Sequence, residues 1–173
     1  MIVSGDEYYV TGNTFKNFGY NAVRVGCSYI YGASGSGIVE DNVMFYTEDY
    51  LSRLEDKTIM DGGAVYAMTC NTEAIIRYNY IHDYAGRYDN RGIFLDDGSS
   101  NVKIYGNIIC NVADNWRIDS RKATQFETVS GSAGDITNVG NVIMYNVVDG
   151  RIRFVGRDGE NGCIKGSNVV SQG

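Results

Sequence analysis

The sequence predicts an all-β solenoid, in which a repeated group of short strands stacks in parallel on the next group. Three observations lead to this prediction. The composition is that of turn-rich β structure, with 14 Tyr and 22 Gly in 173 residues. A six-residue motif with Asn at its fourth position recurs along the chain. The segments around it alternate apolar and polar residues, as in NVKIYGNII at 101–109, and lack helical periodicity.

The motif places an apolar residue two positions after its Asn. Its six occurrences are VTGNTF (10–15), VEDNVM (39–44), IRYNYI (76–81), IYGNII (104–109), NVGNVI (138–143) and KGSNVV (165–170). The six asparagines are Asn13, Asn42, Asn79, Asn107, Asn141 and Asn168, at intervals of 27 to 37 residues. Such a period is typical of solenoids. We expect each Asn to occupy a corner in the left-handed conformation and to bond to the Asn of the next repeat, forming a ladder.

Helical repeats and leucine-rich repeats do not fit, because the segments alternate with period two and Leu is scarce. Over 8–170 the motifs resemble those of right-handed parallel β-helix proteins with the pectate-lyase-like fold. The resemblance implies a single domain over 1–173 with about six coils. Two loop excursions interrupt the period, near 46–60 and near 113–134. The first, YTEDYLSRLEDKTIM, is expected to form a short helix or lid.

Charge and composition exclude several partners. The net charge of -6 gives no basic patch for nucleic acid or an anionic membrane, so a neutral substrate such as a sugar fits better. The N-terminus lacks the basic and apolar regions of a signal peptide. Four widely spaced cysteines and a single His do not make a zinc motif. We expect the cysteines to be buried apolar residues, with a disulfide as the alternative.

Four short strands are expected to stack in register: AVRV (22–25), AVYA (64–67), GIFL (92–95) and RIRF (151–154). The side chains predicted to point inward are Val23, Val65, Ile93 and Ile152. The side chains predicted to point outward are Arg24, Tyr66, Phe94 and Arg153. A row of aromatic and cationic side chains suits a sugar, because an aromatic face takes the C–H side of the ring and charged groups take its hydroxyls. A solvated strand face is the alternative.

Four aspartates are candidate catalytic residues near this row: Asp61, Asp89, Asp96 and Asp97. Stacking should bring Asp61 within about one strand spacing, ~4.8 Å, of Asp89. Carboxyl pairs ~5 Å apart are typical of retaining glycosidases, and pairs ~6.5–9.5 Å apart of inverting ones. Asp61 with Asp96 or Asp97 would form the wider pair. An Asp before Gly also forms turns, and the same oxygens suit a calcium ion, so both interpretations stay open.

Two other polar groups have weaker signals. His82 in NYIHDY is expected to point outward on a different strand from the proposed groove, with Asp83 able to orient it as a base. No Ser or Cys nucleophile motif accompanies it. Arg91, with Arg87, could bind an acidic sugar or act as the base of an elimination.

The motifs DGGAVY, NYIHDY and GIFLDDGSSNV look like those of β-helical glycoside hydrolases. That resemblance implies a glycan-processing protein that is extracellular, periplasmic or on the cell surface, with Asp61, Asp96 and Asp97 in the site and no cofactor beyond the calcium alternative. The rivals are a non-catalytic structural module, such as an adhesin or tail-fibre segment, and a calcium-dependent polysaccharide lyase. Because the chain starts and stops within a repeat, we expect a fragment that lacks its caps or a subunit that stacks on other copies or forms a trimer.

Overall fold

The chain is an all-β protein, as predicted. The computed structural model describes residues 1–3, 7–25, 36–54, 62–68, 73–85, 90–96, 99–113, 124–129, 140–155 and 163–170. Within these ranges the chain forms strands β1 to β18, numbered in chain order, and the short helix α1 (Glu48–Leu51). The strands belong to three sheets of six strands each.

Sheet I contains β1 (Ile2–Val3), β4 (Val23–Val25), β7 (Gly63–Met68), β10 (Arg91–Asp96), β13 (Thr124–Val129) and β16 (Arg151–Val155). Sheet II contains β2 (Glu7–Thr11), β5 (Ser36–Glu40), β8 (Ala74–Arg77), β11 (Val102–Tyr105), β14 (Asn141–Met144) and β17 (Cys163–Gly166). Sheet III contains β3 (Thr14–Lys16), β6 (Val43–Phe45), β9 (Tyr80–Ala85), β12 (Ile108–Ala113), β15 (Val147–Val148) and β18 (Val169–Val170).

Consecutive strands lie in different sheets, and each sheet takes every third strand. All neighbours within the sheets are parallel. Parallel neighbours need long connections, and here each connection passes through the other two sheets. We call three consecutive strands, one in each sheet, a circuit. Residues at equivalent places in successive circuits therefore form rows across a sheet.

One apolar core joins the three sheets. Sheet I contributes Val65 and Ile93, sheet II contributes Ile76, and sheet III contributes Met44 and Ile81, all of them at 0% exposure. Burial of one such side chain stabilises the fold by about 1.5–3 kcal/mol. The core thus depends on the alternation seen in the sequence, since successive side chains of a strand lie on opposite faces.

A ladder of asparagines runs along the corner between sheets II and III. Its rungs are Asn13, Asn42, Asn79, Asn107, Asn146 and Asn168. Each rung donates to the Oδ1 of the next one, so that the backbone N–H and the Nδ2 of Asn79 both lie 3.0 Å from Asn107 Oδ1. The Nδ2 of Asn107 also donates to the Ile76 carbonyl of the preceding circuit, at 3.0 Å. The predicted ladder therefore exists.

The fifth rung is Asn146, and the prediction of Asn141 at that place is wrong. Asn141 lies five residues earlier, where the other circuits have residues such as Val102, with which it pairs. Asn141 is fully buried. Its amide is satisfied there, since Oδ1 accepts from the Val102 N–H at 2.9 Å and Nδ2 donates to the Ser99 carbonyl at 2.8 Å. The segment IMYNVV at 143–148 carries the motif instead.

The left-handed residue at each corner is the one before the Asn, whereas the sequence predicted the Asn itself. Residues with positive φ at these corners are Gly12, Asp41, Tyr78, Gly106, Tyr145 and Ser167. The chain bends at this residue. The side-chain amide of the following Asn can therefore form hydrogen bonds with both neighbouring circuits. At Gly106, where φ is +67°, a Cβ would lie 2.6 Å from the Tyr78 ring.

The two predicted excursions differ in outcome. Helix α1 lies within 46–60, as expected of a short helix, and the Thr47 side chain caps it by accepting from the Tyr50 N–H. The interval 113–134 is not all loop, because it contains β13, which pairs with β10 and β16. The alternation of TQFETV marks this strand, but the polar residues on either side of it conceal the pattern.

We predict that Asn107→Ala lowers the free energy of unfolding by about 2–4 kcal/mol, because it leaves the buried backbone N–H of Asn79 without its acceptor and removes the hydrogen bond to the Ile76 carbonyl. Urea unfolding measures the loss. Asn13→Ala is the matched control, since Asn13 is an exposed rung, and it should cost less than about 1 kcal/mol. Equal losses in the two variants would contradict a dominant role for the buried rungs.

Candidate functional site

The predicted row of cationic and aromatic residues lies on the outer face of sheet I. Arg24 pairs with Tyr66, and Tyr66 pairs with Phe94. The neighbouring residues Val65 and Ile93 belong to the core, so this row occupies the opposite face. The register predicted from the sequence is confirmed for these three strands.

Arg153 belongs to the same row, but one strand further away than predicted. Phe94 pairs with Glu127 of β13, and Glu127 pairs with Arg153 of β16. The four strands predicted to stack do not include β13, and without it Phe94 comes directly beside Arg153. An acidic residue therefore separates Arg153 from the aromatic part of the row, in terms of backbone register.

Asp96 lies on this face as well, two residues after Phe94. It pairs with Met68 across the strands, and the Tyr66 hydroxyl donates to its Oδ2 at 2.6 Å. The contact joins residues two positions out of register on adjacent strands, which is within the reach of a tyrosine. Asp96 is half-buried, so the hydrogen bond fixes its orientation while part of the side chain remains accessible.

The aromatic rings of the row are not accessible. Tyr66 is 3% exposed and Phe94 is 1% exposed. Tyr20 packs edge-on against Tyr66 with ring centroids 5.9 Å apart, and the Arg24 guanidinium lies 5.5 Å from the Tyr66 centroid. The Arg91 guanidinium lies 4.2 Å from the Phe94 centroid. A sugar at this face would therefore meet Tyr20, Arg24 and Asp96 before either buried ring.

Sequence analysis did not identify Tyr20 or the residues that hold it. Three tyrosine hydroxyls donate to three consecutive carbonyls: Tyr50 to Phe18 at 3.5 Å, Tyr46 to Gly19 at 3.0 Å and Tyr84 to Tyr20 at 3.1 Å. Asn90 Oδ1 lies 3.2 Å from the same Tyr84 hydroxyl and shares its hydrogen with the Tyr20 carbonyl. We call Tyr46, Tyr50 and Tyr84 the tyrosine clamp. The sequence feature that could have indicated this cluster is the large number of tyrosines, because a buried tyrosine hydroxyl needs a hydrogen-bond partner.

Three of the four candidate aspartates, Asp61, Asp89 and Asp97, lie outside the described residues. Cys27 and Cys70 also lie outside the described residues, and Cys163 is described only as part of the backbone of β17. Cys110 is a half-buried free thiol, so the expectation of a fully buried residue is wrong for this cysteine.

His82 points outward on sheet III, away from the row on sheet I, as predicted. Its Nδ1 lies 2.8 Å from Asp83 Oδ2, and its ring stacks on Phe45 at 5.0 Å. The local sequence shows no nucleophile beside it, but Cys110 pairs with His82 on the next strand. Burial raises the pKa of the Cys110 thiol, which favours the protonated form, a poor nucleophile. This cluster therefore lacks an activated thiol.

Among the described residues, no three His, Cys, Asp or Glu side chains lie close enough to hold a metal ion. In the same part of the chain, no helix is long and apolar enough to cross a membrane. In comparisons with protein families, curated proteins and solved structures, no significant match to the chain was found.

We predict that the protein loses stability as the pH rises above about 10, the ordinary pKa of tyrosine. Burial raises the pKa values of Tyr46 and Tyr84 well above that value in the folded state. Their contribution is therefore complete below pH ~10 and is lost above it, at up to about 1.4 kcal/mol per pH unit for each group. Thermal unfolding between pH 9 and pH 12 measures the loss.

Tyr84→Phe should lower the melting temperature at pH 8 but make its decline above pH ~10 less steep, because one group no longer titrates. Tyr145→Phe is the control, since Tyr145 is 61% exposed. This variant should keep the slope of the wild-type protein. The same slope in all three proteins would show that the tyrosine clamp does not govern alkaline stability.

Proposed function

We propose that the chain is a right-handed parallel β-helix of six coils, similar to pectate-lyase-like proteins. Three features support this: six circuits through three parallel sheets, a core enclosed by all three, and an asparagine ladder along one corner. The right-handed sense is supported by the strong general preference of parallel crossover connections, roughly 98% of which are right-handed.

We further propose that the protein acts on a polysaccharide in the manner of a glycoside hydrolase, at the outer face of sheet I. The observation that carries this proposal is the hydrogen bond of 2.6 Å from the Tyr66 hydroxyl to Asp96 Oδ2. The Arg24 guanidinium lies 5.5 Å from the centroid of the same Tyr66 ring. A carboxylate held in one orientation is suited to a reacting glycosidic centre, because catalysis needs preset geometry. The net charge of -6 favours a neutral glycan over a polyanionic one.

A glycoside hydrolase needs a second carboxyl group, and we assign this role to Asp61, Asp89 or Asp97. Gly63 pairs with Arg91, and Asp61 and Asp89 each precede one of these residues by two positions. If the same register continues, these two carboxyl groups are about one strand spacing apart, ~4.8 Å. Two acids at such a distance repel each other, which raises one pKa and lets that group serve as the acid.

Arg24 and Arg153 are the proposed partners of sugar hydroxyls in this site, since guanidinium groups offer several donors in a fixed geometry. Arg91 is 5% exposed and packs on the Phe94 ring, so we assign it a supporting role below the sugar. Tyr66 and Phe94 are buried beneath Tyr20, Arg24 and Arg91 and hold these side chains in place. His82 would contact only a glycan long enough to reach sheet III. Such a protein would act outside the cell, in the periplasm or on the cell surface, where polysaccharides are exposed.

We predict that Asp96→Asn reduces the release of reducing sugar from a panel of plant and microbial glycans by about 100-fold or more, the usual effect of losing a catalytic carboxyl group. One of the variants Asp61→Asn, Asp89→Asn and Asp97→Asn should do the same, and it identifies the second carboxyl group. The amide introduced by Asp96→Asn can still accept from Tyr66, so the melting temperature should change little. Asp41→Asn, at an exposed corner outside this face, is the matched control and should retain full activity.

A wild-type protein that hydrolyses none of the glycans would end the enzyme proposal. The second candidate is then a non-catalytic structural or adhesin-like β-helix module. One observation favours it specifically, namely the near-complete burial of Tyr66 and Phe94 in the centre of the row. Under this alternative, Asp96 serves only to pair the Tyr66 hydroxyl and to end strand β10.

A further inference from the structure

We propose that the outer face of sheet II is a second binding surface, and that it takes a neutral oligosaccharide. This surface is distinct from the candidate site on sheet I, since the two sheets are different walls of the fold. It does not require catalysis at Asp96. Three parallel rows of side chains make up the surface. The central row begins with apolar residues and continues with Lys103, which pairs with Ile75, and polar groups lie in the rows on either side of it.

The central row begins with an exposed tyrosine on an aliphatic floor. Tyr9 pairs with Ile38, and Ile38 pairs with Ile75. Tyr9 is 66% exposed, while Ile38 and Ile75 are half-buried. Unlike Tyr66 on sheet I, Tyr9 offers a ring that a ligand can reach. A pyranose can cover such a surface with its C–H face and thereby remove apolar area from water.

Polar groups border this row on one side and form the wall of a depression. A depression of about 150 Å³ is lined by Tyr9, Ile38 and Ile75 together with Glu7, Ser36, Gly37 and Glu73. A second depression, of about 340 Å³, is lined by Glu73, Asn101, Lys103 and Gly140. Glu73 lines both, so the two adjoin. Together they extend from the circuit of β2 to the edge of β14, which suits a chain of several sugar units.

The opposite border is held rigid by hydrogen bonds. Arg77 Nε donates to Glu40 Oε2 at 2.5 Å, and Arg77 Nη1 donates to the Tyr105 hydroxyl at 2.8 Å. The two bonds link three successive circuits across the sheet. Preset polar groups lose little freedom when a ligand binds, which favours affinity.

The chemistry of the surface favours a neutral sugar over other ligands. Carboxylates and amides such as Glu7, Glu73 and Asn101 accept and donate the hydrogen bonds of hydroxyl groups. Glu7, Glu40 and Glu73 would repel an acidic polysaccharide or a nucleic acid. The cations Lys103 and Arg77 are already paired with Glu73 and Glu40, so these described residues give the surface no excess of positive charge for an anion.

The test is isothermal titration of the full chain with three neutral linear hexasaccharides: cellohexaose, mannohexaose and N-acetylated chitohexaose. We expect at least one of them to bind. Tyr9→Ala should weaken its binding at least tenfold, whereas Tyr9→Phe, which keeps the ring, should bind within threefold of the wild type. Because Tyr9 is exposed, both variants should keep the wild-type melting temperature.

Two controls separate this proposal from the one on sheet I. Tyr145→Ala removes a tyrosine of similar exposure, 61%, at a corner, and should not change the affinity. Asp96→Asn should also leave it unchanged. Failure of all three hexasaccharides to bind would overturn the proposal, as would normal binding by Tyr9→Ala. Loss of binding in Asp96→Asn but not in Tyr9→Ala would instead assign the sugar to sheet I.

Discussion

The fold depends on a single repeated constraint, which is that a buried amide at one corner of each circuit must be satisfied by the circuits on either side. Asn42, Asn79 and Asn107 are at most 1% exposed, so water cannot replace a missing partner. Each one fixes the position of the next strand, because its backbone N–H and its side chain bond to the same oxygen. Core packing and sheet register follow from this alignment.

The ladder lets the rest of each circuit vary. Between rungs the chain can form helix α1, as it does after β6, or proceed directly to the next strand, as it does after β15. The side chains that support the candidate sites come partly from these connections. Tyr20 lies between β3 and β4, where the tyrosine clamp holds the carbonyls of Phe18, Gly19 and Tyr20. The constant corner thus stabilises the fold, whereas the variable connections supply side chains for the candidate sites.

Much of the fold was predictable because the pattern is local and repeated. The rows of Val65 with Ile93 and of Tyr66 with Phe94 follow directly from strands that alternate and stack. The choice of Asn141 over Asn146 failed because two asparagines lie five residues apart and both carry apolar neighbours. Only the hydrogen bonds to Ser99 and Val102 separate their roles.

The site was less predictable, because alternation gives the face of a side chain but not what covers it. Phe94 is on the predicted outer face, yet Arg91, three residues earlier, lies over its ring. Tyr20 reaches Tyr66 across a separation of 46 positions, which no local pattern reveals. The partner of His82 was missed for a similar reason, since Cys110 becomes its neighbour only through strand pairing.

The residue before each ladder Asn affects how the surface at the corner between sheets II and III can change during evolution. Tyr78 and Tyr145 adopt positive φ there, at a cost of about 1–2 kcal/mol relative to a relaxed backbone. Their side chains are 53% and 61% exposed, and the adjacent rungs remain intact. The corners at 78 and 145 are thus positions at which evolution can introduce a new chemical group without reworking the interior.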